Sequence, residues 1–317
     1  MNRYMMFLIA RRVGAGILTL LIVSAVVFFI TSLLPGDAAQ MILGQNATAE
    51  TVAALRQQLG LDQSLPVRYF SWLSGMLHGD FGISFASHLP VVQLVARRIP
   101  ATFELAAITT LICVPLALVS GIAAAMNRGS LIDRFLVVST MATVAVPEFL
   151  VATVAVLIFA VKLHWVSAMS FGSSDMDLLS YLKSYALPVL TLCCVLAAQM
   201  ARMTRAAIIN QLDSPYLEMA RLKGVSPLRA VLRHALPNAV GPIANSISLS
   251  LSYLFGGVII IETIFSYPGL ASAMVDAVSN RDLPVVQFCV MLFAASYLLL
   301  LLAADILTIA FNPKWRN

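Results

Sequence analysis

Few residues in this chain can do chemistry, and they fall in two settings. One is the interior of long apolar stretches, which hold Cys113, Cys193, Cys194, Cys289 and one carboxylate, Glu148. The other is a polar segment, Asp213 to Pro237, reading DSPYLEMARLKGVSPLRAVLRHALP. The cysteines have no histidine at metal-ligand spacing and suggest no disulfide framework, so they read as small buried side chains. There is no H-E-x-x-H and no G-x-x-x-x-G-K-[ST] phosphate loop. His164 and His234 fall outside the centre of any apolar stretch. An intramembrane enzyme and a nucleotide hydrolase both lack their chemistry here. Glu148 is different, because an ionisable group at membrane depth costs a few kcal/mol and must face a cavity or a partner. It is either a contact for a cationic substrate group or a protonated, hydrogen-bonded carboxyl. In the second role it would stabilise the break at Pro147 or a subunit seam.

The polar segment is punctuated like two short helices. Ser214 stands where an N-cap is wanted, and Pro215 suits the first helical position. The first helix should run to about Lys223, where Gly224 can take the left-handed conformation that ends it. Ser226 and Pro227 repeat the signal, and the second helix should stop near Pro237. Leu217 and Ala220 share a face of the first helix. Leu228, Val231, Leu232 and Ala235 form a stripe on the second, with Arg229 and Arg233 on another side. Such an element either docks a partner or tucks its apolar face against its own bundle. A DNA-reading helix-turn-helix is a poor fit, because flanking apolar stretches leave no free domain to enter a groove.

What must hold these residues is a membrane bundle. The chain has 317 residues, of which 60% are hydrophobic and only 11% charged, against about 25% charged in an ordinary soluble domain. A soluble enzyme or a disordered chain could not carry so little charge. Crossing the hydrocarbon takes about 20 apolar residues. Stretches without Asp, Glu, Lys or Arg, one interrupted only by Glu148, place six spans near 13–34, 102–126, 135–161, 186–208, 239–263 and 286–310. The first run is longer than a signal-peptide core and reads as a retained span. The expected fold class is an all-α polytopic membrane protein.

Charge orients the spans. Residues 1–12, 127–134, 202–234 and 312–317 hold 13 of the 20 Lys and Arg, but only Asp133, Asp213 and Glu218 among the 15 acids. This bias puts those pieces and both termini in the cytoplasm. The net charge of +5 is then a record of orientation. The expected organisation is a cytoplasmic N-terminus 1–12, a first span 13–34 and a periplasmic segment 35–101. A five-helix core 102–310 follows, with the polar loop 211–237 and an outer loop 264–285, then a tail 311–317. Glu104 and Asp305, near span ends, read as solvated or locally paired. In the outer segment, Ala47 to Leu59 reads as an amphipathic helix. Tyr69, Phe70 and Trp72 form an aromatic patch suited to the membrane interface.

Glu218-Met219-Ala220, then Gly224, then His234-Ala235-Leu236-Pro237 resemble the EAA motif of ABC importer permeases, E-A-A-x3-G-x9-I-x-L-P. Met219 stands for the middle Ala and His234 for Ile. Other motifs, in order along the chain, resemble the dipeptide/oligopeptide/nickel permease family. They are Leu34-Pro35-Gly36-Asp37, Leu59-Gly60-Leu61-Asp62, His78-Gly79-Asp80-Phe81-Gly82 and Arg98-Ile99-Pro100-Ala101-Thr102. Glu262-Thr263-Ile264-Phe265-Ser266-Tyr267-Pro268-Gly269-Leu270 and Asn280-Arg281-Asp282-Leu283-Pro284 complete the set. The segment between spans one and two is similar to that of the first of the two permeases in such systems.

The resemblance implies a type I ABC importer permease fold with six transmembrane helices, in the bacterial inner membrane. It implies a second, different permease subunit in a heterodimer and two cytoplasmic ATPase subunits that use ATP and Mg. It also implies a periplasmic or lipid-anchored substrate-binding protein, with no nucleic acid, no cofactor bound directly and no enzymatic activity in this chain. It makes 211–237 the coupling loop. Glu218 would pair with a basic residue of the ATPase groove, Ala220 would allow close approach, and Gly224 would supply the bend. Leu236 and Pro237 would set the exit into the fifth span. Arg221 and Lys223 would meet acidic ATPase residues or lipid headgroups. Glu262 would open a periplasmic element leaning toward the path or the binding protein. The cargo class implied is dipeptides or oligopeptides, with glutathione, nickel complexes, opines and sugars in families of the same kind. Bulk composition alone also fits a stand-alone secondary transporter, which would carry inverted repeats.

Overall fold

The computed structural model describes residues 3–33, 38–58, 60–167 and 177–311. The Leu34-Pro35-Gly36-Asp37 motif, Leu59, Lys314 and Arg316 lie outside the described residues. The elements are α1 (Arg3–Leu33), α2 (Ala38–Leu43), α3 (Ala49–Gln58), α4 (Leu65–Leu77), α5 (Val91–Val95), α6 (Arg98–Met126), α7 (Leu131–Ala145) and α8 (Glu148–Ala155). A π-helical turn, Val156–Lys162, extends α8. Then come α9 (Leu178–Leu212), α10 (Pro215–Leu222), α11 (Pro227–Arg229), a π-helical segment Ala230–Ala235, α12 (Leu236–Ile264), α13 (Leu270–Ser279) and α14 (Leu283–Phe311). Among the described residues there is no strand ladder, only an isolated antiparallel bridge between Ile83 and Pro90.

Among the described residues, five helical stretches are long and apolar enough to cross a membrane: Phe7–Leu33, Val91–Met126, Leu179–Leu212, Pro227–Ile264 and Leu283–Ala303. The sixth expected span differs in form. It is a pair, Leu131–Ala145 and Glu148–Lys162, bent by 98°. The break falls at Pro147, which pushes Val146 into an extended conformation with φ −94° and ψ 127°. Glu148 is therefore the first residue of α8, not the middle of one helix. The Pro147 carbonyl accepts from Leu150 and Val151 at 3.0 and 3.2 Å, which satisfies the new helix start. Pro115, Pro188 and Pro242 lie inside α6, α9 and α12 without breaking them. The helices also run past the charge-based limits. Arg11 and Arg12 sit within α1 and Lys183 within α9, because a long basic side chain is a good helix former and can reach a polar layer from inside a helix.

Contacts divide the chain into two compact units. One comprises 1–13, 103–267 and 297–317; the other comprises 14–102 and 268–296. In the first, α9 is the central helix and packs along α12 and α7. Small residues set these distances. A Cβ on Gly121 of α6 would lie 2.7 Å from the Ala201 carbonyl oxygen and from Thr204 Cβ of α9. The buried Ser246, Ser248, Ser250 and Ser252 of α12 are small enough for close packing. Ser248 and Ser252 donate to carbonyls four residues back at 2.9 and 2.8 Å. Asp305, expected to be solvated or locally paired, meets Arg12 at 3.3 Å.

The second unit shows what several of the quoted motifs do. Asp282 is buried and accepts from the Ser84 hydroxyl and, at 3.0 Å, from the Phe85 N–H. Phe81 packs edge-on against Phe288 at 4.6 Å. The segments around Phe81 and Asp282 are thus pinned together. Thr102 Oγ1 accepts from the Leu270 N–H at 2.7 Å, satisfying an orphan donor at the start of α13. Arg98 reaches Ser272 at 3.3 Å. Val91, Val95, Leu270, Ala277, Val285, Phe288 and Cys289 form the core beneath. The aromatic patch divides. Tyr69 meets Phe28 of α1 edge-on and Trp72 meets it tilted, each at 5.5 Å, and the Tyr69 and Ser24 hydroxyls bond at 2.8 Å, while Phe70 is exposed. Tyr69 and Trp72 therefore pack against α1. Residues 264–285, expected as a loop, contain the apolar helix α13.

Gly121→Val should wedge α6 from α9. Overpacking of this kind costs about 1–3 kcal/mol, so thermal unfolding in detergent should shift to lower temperature. Gly14→Val, at a position with nothing within 4 Å, should leave the midpoint in place. Equal midpoints for the two variants would contradict the close crossing.

Candidate functional site

The segment 211–237 folds as a bent, two-armed element. Pro215 starts α10, as its lack of an N–H favours. Ser214 holds the N-cap position, but its hydroxyl turns back to donate to the Gln211 carbonyl and caps nothing. The cap is main-chain: the Ser214 carbonyl accepts from Leu217 and Glu218 at 3.1 and 3.2 Å. At the other end Gly224 is left-handed, with φ +82°. The Gly224 N–H reaches the Arg221 carbonyl at 2.9 Å, and the Val225 N–H reaches the Ala220 carbonyl at 3.1 Å. This pair of bonds is a Schellman motif, with the usual apolar contact between its flanking residues. Val225 and Ala220 both pack against a buried cluster of Leu217, Ala230 and Ala235. The small Ala220 side chain is thus engaged with the element's own second arm.

That second arm departs from the sequence reading. It does not stop near Pro237, and Pro227–Ile264 is one continuous helical stretch. The turn widens into a π-helix over Ala230–Ala235, and the Leu236 N–H reaches the Val231 carbonyl. A wider turn makes room for the Pro237 ring, which in an α-helix collides with the carbonyl four residues back. The His234 carbonyl is taken up by Asn238 Nδ2 at 2.9 Å. A π-turn also rotates less per residue than an α-turn. The expected stripe therefore splits: Val231 and Ala235 are buried, whereas Leu228 and Leu232 are exposed. Tyr216 ties the arms to their supports, donating to Gln211 Oε1 at 2.9 Å and accepting from Asn238 Nδ2 at 3.1 Å.

The face left outward mixes apolar and basic groups. Leu222 is 78% exposed, Met219 58% and Leu228 53%. Glu218, Arg221, Lys223, Arg229 and Arg233 are exposed as well. Leu236 is partly buried at the start of α12, and Pro237 is exposed beside it. The inward tuck posed by the sequence is therefore realised in part. Leu217 and Ala220 tuck inward, and a second set of large apolar residues stays uncovered. Met219, Leu222 and Leu228 were not legible as an outward set from α-helical spacing alone.

Two ion pairs adjoin the base of this element, and sequence reasoning missed both. Arg205 of α9 grips Asp133 of α7 in a fork, Nε to Oδ1 at 2.6 Å and Nη2 to Oδ2 at 2.8 Å. Arg128 meets Asp213 through one nitrogen, Nη1, which donates to Oδ1 at 2.9 Å and to Oδ2 at 3.0 Å. The charges were visible in the sequence, but nothing in their spacing said which would meet.

Glu148 is partly buried, with its carboxyl laid against Gly257 of α12. A Cβ at 257 would stand 2.6 Å from Oε2. Near the far end of α9, the Tyr181 hydroxyl donates to Glu104, and the Tyr185 and Tyr267 hydroxyls bond at 3.0 Å. Burial pushes the Tyr267 phenol up to about 12, so it stays protonated as a hydrogen-bonding group. Glu262 is fully buried in the last turn of α12 and does not open a surface loop. A cavity of about 560 Å³ lies among α6, α7 and α9. Its hydroxyls at Ser120, Ser139, Thr140 and Thr143 all donate to carbonyls of their own helices. The hydroxyl protons are thereby committed within their own helices, and the rest of the lining is mostly apolar.

Leu217→Ala should empty the buried cluster beneath the bend. Large-to-small core changes of this kind cost about 2–5 kcal/mol. Protease cleavage within 215–237 should become faster, while Leu222→Ala, which removes an exposed side chain, should not change it. Identical cleavage rates would sink the assignment of Leu217 as the loop's anchor.

Residues 117–317 match the family model described as "Binding-protein-dependent transport system inner membrane component". Residues 4–106 match the corresponding N-terminal model, "Binding-prot-dependent transport system membrane comp, N-term". The chain is 33% identical over 308 residues to the "Probable peptide ABC transporter permease protein y4tP" of Sinorhizobium fredii, covering 97% of this chain and 98% of that one. It is 38% identical over 308 residues, with the same coverage, to the "Glutathione transport system permease protein GsiC" of Salmonella typhimurium. The Escherichia coli K12 protein of that name is 37% identical over 310 residues, covering 98% of each chain. In fold, the chain resembles a structure described as "Inward facing conformations of the MetNI methionine ABC transporter", with a TM-score of 0.57 and 16% identity. That likeness covers 70% of this chain and 97% of the other.

Proposed function

The chain belongs to the family of binding-protein-dependent transport system inner membrane components, the multi-pass permeases of ABC importers, and on that premise we propose that it moves peptides or a peptide-like solute into the cytoplasm. The full-length similarity to relatives named for peptide and glutathione transport is the observation that carries this reading. A permease of this family is not itself catalytic. Energy enters from two separate ATPase subunits that use ATP and Mg, and solute is delivered by a periplasmic or lipid-anchored binding protein. A second, different permease subunit completes the path. Both termini lie in the cytoplasm with the 127–134 and 202–234 pieces. The basic bias of those pieces supports this. So does the Arg12–Asp305 contact, which brings the start of α1 beside the end of α14.

The 211–237 loop is the coupling element. Its outward face offers Met219, Leu222 and Leu228 for burial in an ATPase groove, with Glu218, Arg221 and Lys223 as charged rim contacts. Its inner cluster and Schellman bend make it move as one body. Gly224 supplies the bend, Ala220 lets the two arms close on each other, and Leu236 and Pro237 carry the motion into α12. ATP and the loaded binding protein then bias one two-state equilibrium of the bundle. Glu148 is the candidate for a cationic group of the solute. Its placement at a helix break supports a path-facing role, and its packing on Gly257 supports a structural one.

Purified with a tag on this chain, the complex should bring an ATPase pair and a second permease with it. Full transport by this chain alone would instead indicate a secondary transporter. In the complex, Gly224→Val forces a branched residue into a left-handed position at about 1–3 kcal/mol. Insertion and assembly should survive, and transport-stimulated ATP hydrolysis should be lost. Normal transport by a well-folded variant would remove the coupling assignment. Glu148→Gln should slow uptake of a cationic peptide more than that of a neutral one. An equal effect on both would leave Glu148 a structural role only.

A further inference from the structure

Two Arg–Asp ion pairs, one of them a fork, join the α6–α7 turn and the first turn of α7 to the end of α9. Along the first segment the order is Arg128 then Asp133; along the second it is Arg205 then Asp213. Arg128 holds Asp213 and Asp133 holds Arg205. The swapped pairing would set Arg128 against Arg205 and Asp133 against Asp213, so the charges favour this alignment over its reverse. The attachment points on α9 are eight residues apart, roughly 12 Å along a helix at 1.5 Å per residue. Two bonds at that separation prevent the pivoting that a single one allows.

The turn itself is stiff. Gly129 is left-handed at φ +83° and donates to Asp133 Oδ2 at 2.9 Å. Ser130 caps α7 by accepting from the Asp133 N–H at 3.2 Å, and its own N–H reaches the Asn127 carbonyl at 2.9 Å. The Asp133 carboxylate, only 5% exposed, thus holds its own turn and Arg205 at once. Asp213 lies in the first turn of the coupling loop, immediately before Ser214, the N-cap residue of α10.

We infer that Arg128, Asp133, Arg205 and Asp213 are positioning residues that form a strut. It makes the α6–α7 turn, and α7 with it, move together with the base of the coupling loop. The strut rests on the coupling reading of 211–237 and extends it. Besides the chain's own continuity with α9, motion imposed on the loop enters the bundle through Pro237 into α12 and through the ion pairs into α6 and α7. Without the pairs, α12 would move while α7 and its continuation at Glu148 lagged.

The test uses the complete transporter in vesicles, with its ATPases and binding protein, and reads solute transported per ATP hydrolysed. Arg128→Asp, Asp213→Arg and the exchange Arg128→Asp/Asp213→Arg are the variants of choice. Both side chains are more than half exposed, at 57% and 59%, so the fold tolerates them. Each single change should lower transport per ATP about fivefold, the low end of typical coupling between sites. The thermal midpoint should not shift, and the exchange should restore most of the loss. Single variants with an unchanged ratio overturn the strut, and so does an exchange that restores nothing. Gly224→Val run in parallel separates the two ideas. If it uncouples while the charge variants do not, only the strut fails. If it transports normally, the coupling reading itself has failed.

Discussion

In hydrocarbon a backbone amide has no water to turn to, so every N–H and C=O must be satisfied within the chain. That constraint governs this protein. It makes the described residues a set of helices and leaves few places where the chain can deviate. Each deviation carries its own replacement bonds. At Pro147 the new helix start is met by the Pro147 carbonyl. At Gly224 a Schellman pair closes α10. At Ala230–Ala235 a widened turn absorbs Pro237, and an asparagine side chain takes a carbonyl. The candidate functional residues fall at or beside these exceptions, because a continuous helix offers neither a polar contact nor a bend.

Prolines show how context decides. Pro115, Pro147, Pro188 and Pro242 all lie in apolar stretches, yet only Pro147 turns the chain sharply. The local chemistry is the same at each: a missing N–H and a ring that disfavours helix in the preceding residue. What differs is what lies beyond. After Pro147, α8 finds a seat against α9 and α12, with Glu148 laid on the bare backbone at Gly257. That burial offsets the lost helical bonds. A proline with no such seat to turn toward stays inside its helix.

Charge is used sparingly and in pairs. Arg12 with Asp305, Arg128 with Asp213 and Arg205 with Asp133 each join segments far apart in sequence. Exposed pairs contribute little stability, so their value lies in register. The Asp133 carboxylate is the exception. It is nearly buried and held by a fork and a main-chain donor together, the condition under which a buried charge is tolerated. Arg221, Lys223, Arg229 and Arg233 stand exposed on the 211–237 loop.

The sequence by itself determined the class, the number of spans and the punctuation of the loop. Apolar length, a charge bias and the residues Pro215, Gly224 and Pro227 act locally or by composition, and such signals survive without a fold. It did not determine the break at Pro147, the outward turn of Leu228 and Leu232, or the burial of Glu262. Nor did it show that Phe81 and Asp282 belong to one pinned assembly, or which arginine would take which aspartate. Those outcomes depend on what lies across the packing, and a one-dimensional pattern read at α-helical spacing is misled wherever the helix changes pitch. Only the tertiary structure, by giving each exposed bond and buried charge a particular neighbour, decided them.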